Sequence, residues 1–205
     1  MLKYIDYEEK HYIVTPFKRN LNEEEAKNYL QWVGTMKKRN DYRNIHISRN
    51  IENLYFRYLL QLFNANGKSV ATFIWYPKNH KKKVYRKSLF HLFYKDERRL
   101  LVRIRNIYKE GREIIVLNDQ LSFESFTRYY LRVDRIRLEH GIFYFKNLNI
   151  YIEFGFDMAT FMKTDEITKD HINILKKNKM NLIEVTCIDS TAFVPKYNYE
   201  DINLD

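Results

Sequence analysis

Glycine, proline and cysteine are all scarce in this chain, whose 205 residues hold five, three and one of them. Glycines scattered at positions 34, 67, 111, 141 and 155 form no Gly-rich phosphate loop, which excludes the usual mononucleotide- and dinucleotide-binding folds. The single cysteine, Cys187, permits neither an intramolecular disulfide nor a cysteine-rich zinc site, and reads most simply as a small buried hydrophobe. No apolar run reaches the roughly 18 residues of a membrane span, and the first 30 residues lack a signal-peptide core. The expected protein is therefore cytoplasmic and not membrane-spanning. The six histidines show no paired metal-ligand spacing, and no serine lies in a nucleophile elbow, so zinc chemistry and Ser-His-Asp hydrolysis have no support.

Apolar residues make up 45% of the chain and aromatics 16%, enough for one sizeable core and against intrinsic disorder. The formal net charge is +10, and its distribution is uneven. Between Lys78 and Arg112 thirteen Lys or Arg meet only three acids, Asp96, Glu97 and Glu110, so this segment carries the whole excess. Lys81, Lys82, Lys83, Arg86, Lys87, Lys95, Arg98, Arg99, Arg103 and Arg105, interleaved with Tyr and Phe, are the candidate nucleic-acid-binding residues. A solvated helix face or an acidic protein partner would use the same charges. A membrane surface has no suitable amphipathic helix to recommend it.

Local signals divide the chain into residues 1–80, a core over 81–190 and a polar, acidic tail over 191–205. Tyr12-Ile13-Val14 is a short strand ending before Pro16, and Asn22 caps a helix running to about Lys38. Leu54–Phe63 and Ser69–Tyr76 read as a hairpin about Asn66-Gly67, although the first arm could be helical. The aromatics there are expected in the core; the region could also be a dimerisation element, giving a homodimer. Beyond it, Ser88 caps a helix with Leu89, Leu92, Phe93, Leu100, Ile104 and Ile107 inward and Gly111 as its stop. Strands follow at Glu113–Leu117, within Leu121–Leu138 and at Leu148–Phe156, with Gly141 as a turn. Thr164 or Asp165 then caps a helix with Ile167, Ile172, Leu175 and His171 inward, and Asn181–Ile188 closes the unit. The expected fold class is α+β or α/β, a mixed sheet with a helix-strand-strand-strand-helix-strand core.

In that frame Asp134 falls within a strand and Glu153 in the middle of an otherwise apolar one, where a lone carboxylate costs several kcal/mol unless a cation, hydrogen bond or solvent meets it. Two converging carboxylates would make an oxygen site for Mg²⁺ or Mn²⁺. Surface ion pairing is the plain alternative for either residue. The element order, with Arg132-Val133-Asp134, Ile152-Glu153, Lys169 and Leu182-Ile183-Glu184-Val185, resembles the core of the PD-(D/E)XK nucleases. Within them it is most similar to the CoiA-like competence-associated branch, and the resemblance spans residues 88–188. It implies a metal-dependent DNA nuclease in which Asp134 and Glu153 hold the ion and Glu124 or Glu97 assists. Gly155 stands where that family places its lysine, so Lys169, or as a second choice Lys163, would supply the amine from another element. An ammonium close to Glu153 would favour hydrolysis. A solvent-facing Lys169 would favour a non-catalytic nucleic-acid-binding or protein-interaction module, such as a regulator or counter-defence protein on a decayed nuclease core.

Overall fold

The structure, a computed structural model, describes residues 11–19, 42–73, 93–109, 114–132, 141–154 and 160–185. These form an α+β fold of seven strands and four α-helices. Strand β1 (His11–Thr15) precedes helix α1 (Tyr42–Ala65) and strand β2 (Val70–Phe73). A 3-10 turn (Lys95–Glu97) leads into α2 (Arg98–Lys109), followed by β3 (Ile114–Leu117) and α3 (Gln120–Arg132). Then come β4 (Ile142–Phe145), β5 (Ile150–Phe154), β6 (Thr160–Thr164), α4 (Lys169–Lys177) and β7 (Asn181–Val185).

The strands make one sheet in the order β3-β2-β4-β5-β6-β1-β7, with every described pairing antiparallel, in place of the mixed sheet expected. Strand β1 lies between β6 and β7, and β2 between β3 and β4. Strands from both sides of residue 80 thus interleave in one sheet, and a domain boundary there would cut it.

Two segments differ from the expectation in kind. The stretch expected as the first hairpin arm is the second half of α1, because Ile51, Tyr55, Tyr58, Leu59, Leu62 and Phe63 recur at helical spacing and are all buried. Asn66-Gly67 ends this helix rather than turning a hairpin: Gly67 has φ +77°, and the Lys68 amide donates to the Phe63 carbonyl at 2.8 Å. The strand sought within Leu121–Leu138 is replaced through Arg132 by α3. Asp119 caps that helix, its carboxylate accepting from the Ser122 amide at 2.8 Å, and Phe123, Phe126 and Tyr130 follow on one inward face. From α2 onward the order is helix, strand, helix, three strands, helix, strand.

One face of the sheet meets the helices. Val14, Phe143, Ile152 and Met162 pack with Tyr58 and Leu62 of α1 and Phe126 of α3 in a single core. Phe63 stacks on Phe123 with ring centroids 4.4 Å apart. Gly141 is required by close packing, since a Cβ there would fall 2.2 Å from the Tyr130 ring. The Tyr130 hydroxyl meets Thr72 at 2.8 Å. His171 of α4 is buried as expected, with Nε2 2.8 Å from the Tyr58 hydroxyl, whereas Ile172 is exposed. Thr168, rather than Thr164 or Asp165, caps α4. The helix expected at residues 22–38, Leu89, Leu92 and Cys187 lie outside the described residues.

Candidate nucleic-acid interface

Helix α2 has a sharply divided surface. Leu100, Leu101, Ile104 and Ile107 are buried, the side that packs on α3. At 100° per residue, Arg98, Arg99, Val102 and Asn106 then centre on the opposite side, with Arg103 and Arg105 flanking them. Lys95, in the preceding turn, is exposed as well. Arg103 is partly committed elsewhere: its Nη2 donates to Asp119 at 2.7 Å and its Nε to Ser122 at 2.6 Å, bracing the capped start of α3. Burial would raise the Asp119 carboxyl, but hydrogen bonds from Ser122 and Arg103 outweigh it and hold the carboxyl below its usual range. Lys81, Lys82, Lys83, Arg86 and Lys87 lie outside the described residues.

Beneath this surface runs a buried ion-pair network that sequence reasoning missed. Arg132, at the end of α3, is 2% exposed and lies between Glu52 of α1 and Glu97 of the 3-10 turn. Its Nε and Nη2 each donate to Glu52 at 2.7 Å, while Nη1 and Nη2 donate to Glu97 at 2.6 and 2.8 Å, so both carboxylates are gripped by a fork. Arg128 also bonds Glu52, and its Nε donates to Glu124 at 2.9 Å. Arg49 lies 3.6 Å from Glu97 and 4.1 Å over the Tyr94 ring. Burial alone would raise the Glu97 carboxyl; the hydrogen bonds and charge of Arg132 lead the opposing effects and hold it at about 2. The only sequence signal was the helical spacing that sets Arg128 and Arg132 on one face of α3.

Of the residues drawn from the nuclease resemblance, the described ones do not gather about Glu153. Asp134 lies outside the described residues. Glu153 is half-buried in β5, with Ile142 of β4 and Phe161 of β6 as its cross-strand partners. The burial alternation of β5 puts Ile150, Ile152 and Phe154 toward the helices and Glu153 on the other face. Lys169 is exposed at the start of α4, which packs through Leu175 into the helix-side core. It follows Thr164, the β6 residue opposite Ile150, whereas Glu153 lies toward the other end of β5. Glu124 is drawn to Arg128 and, at 3.9 Å, to Arg99; Glu97 is held by Arg132. Among the described residues no three His, Cys, Asp or Glu side chains converge as a metal site. No helix among them is long and apolar enough to cross a membrane. Compared with protein-family models, curated proteins and solved structures, the chain matches none.

Proposed function

We propose that this protein binds nucleic acid, DNA first among the candidates, through the outer side of α2, and that binding rather than hydrolysis is its basic activity. The observation that carries the reading is the sorting of charge around α2. Glu97 and Glu124 turn onto arginines of the network, and exposed Asp96 has Arg49 at 3.4 Å, while Lys95 and Arg98 stand in solvent on the outer side. A surface whose acids are withdrawn or paired and whose cations are exposed attracts a polyanion. The solvent-facing Lys169, in the layer away from Glu153, favours a module that binds without cutting.

The test is a titration of the full chain against labelled DNA and RNA over a salt series, with and without Mg²⁺ or Mn²⁺, beside a polyglutamate competitor. The expected result is binding that weakens linearly in log–log form as salt rises, no strand cleavage, and poor competition by polyglutamate. Binding to polyglutamate alone would replace nucleic acid with an acidic protein partner. Metal-dependent cleavage lost in Glu153→Gln and in Asp134→Asn would establish the nuclease reading instead.

A further inference from the structure

We infer that α2 is a reading helix for the major groove of duplex DNA; the inference rests on the nucleic-acid reading above and specifies its ligand. A helix that only gathers phosphates has no use for an apolar or neutral residue at its outermost point. Here Val102, 45% exposed, and Asn106, also exposed, occupy the centre of the outer side, with Arg98, Arg99, Arg103 and Arg105 distributed about them. That is the order a groove demands. Base edges lie along its floor and phosphates along its rims, so short neutral side chains belong at the apex and long cations at the flanks. A valine methyl suits the thymine methyl, and a carboxamide suits the paired donor and acceptor of adenine.

The position of α2 permits the approach. Its buried side packs on α3, and its twelve residues make a rod about 18 Å long, narrow enough for the roughly 12 Å major groove of B-form DNA. Arg103, bonded to Asp119 and Ser122, ties the helix to the start of α3. The deep, narrow major groove of A-form RNA does not admit a helix, and a single strand offers no groove. The expected ligand is thus a DNA duplex, distinguished from the other two by shape.

The experiment measures fluorescence anisotropy of the full chain with three probes of one mixed sequence: a DNA duplex about two turns long, the matching RNA duplex and the DNA single strand. The wild type should prefer the DNA duplex by about tenfold or more, the scale of one lost base-edge contact. Val102→Ser, a charge-neutral change on the exposed side, should keep the urea midpoint while narrowing that preference by weakening the DNA duplex alone. Equal wild-type affinity for the three probes would overturn the groove assignment and leave the polyanion reading standing. So would a Val102→Ser variant that keeps the preference in full. Absence of salt-sensitive binding to any probe would overturn both.

Discussion

Arg132 and Arg98 are the same residue type at the ends of neighbouring helices, and their surroundings give them opposite work. Arg132 is buried between Glu52 and Glu97 and holds three helical segments together; Arg98 stands in solvent at the start of α2 beside Lys95. For the first, the charge is balanced within the protein, and its loss would leave two carboxylates buried without their counter-ion. For the second, the charge remains available to a partner. A count of Lys and Arg cannot distinguish these cases, whereas burial and the position of the acids can.

The largest effect is expected from breaking the buried side. Arg132→Met should destabilise the fold by about 3–5 kcal/mol, read as a lower urea midpoint, because Glu52 and Glu97 lose their shared fork. A midpoint unchanged from wild type would remove the network from the stability account.

Acid should separate burial with a counter-charge from burial without one. His171 is 3% exposed, its Nδ1 has no hydrogen-bond partner among the described residues, and burial depresses its pKa from 6.5 to about 4. The unfolded chain takes up this proton first, so the contribution is complete above pH 6.5 and is lost as pH falls toward 4, amounting to about 3 kcal/mol. Glu97 is depressed from 4.5 to about 2, so its contribution is present above pH 4.5 and fades as pH falls toward 2. Urea midpoints measured down this range should therefore fall in two stages. His171→Gln should remove the upper stage alone, and Arg132→Met should weaken the lower one.

Arg103 lies between the extremes. Its side chain is 41% exposed yet bonded to the cap of α3, so Arg103→Ala should cost about 0.5–1 kcal/mol and weaken nucleic-acid binding less than loss of Arg98. Equal losses of affinity would place Arg103 among the principal ligand contacts.

The parts of the fold legible in the sequence were those with a single dominant periodicity. The Leu100, Ile104 and Ile107 stripe, the Tyr12-Ile13-Val14 strand, the inward His171 and Leu175, and the strand beginning at Asn181 are all present. The failures came where aromatic and β-branched composition suggested strands while the spacing was helical. Tyr55, Tyr58, Leu59 and Leu62, like Phe123, Phe126 and Tyr130, are strand-favouring or neutral in part, and tertiary packing on the sheet decides their conformation. The strands β4 and β6 on either side of β5 were not anticipated either, being only four and five residues long. In the candidate site, Lys95, Arg98 and Arg99 were legible from charge alone. Arg132 and Glu52 were not, because their pairing spans 80 positions of sequence and depends on α1 and α3 packing side by side.

The smallest stability change and the most direct functional one belong to the same variant, Lys95→Ala/Arg98→Ala. Its urea midpoint should stay within about 0.5 kcal/mol of wild type, as for exposed residues outside any network. The decisive measurement is its affinity for a DNA duplex across a salt series. The expected slope of log affinity against log salt is shallower than wild type by about 0.9 for each phosphate contact removed, close to two in all. A slope and affinity identical to wild type would contradict the assignment of α2 as the binding surface.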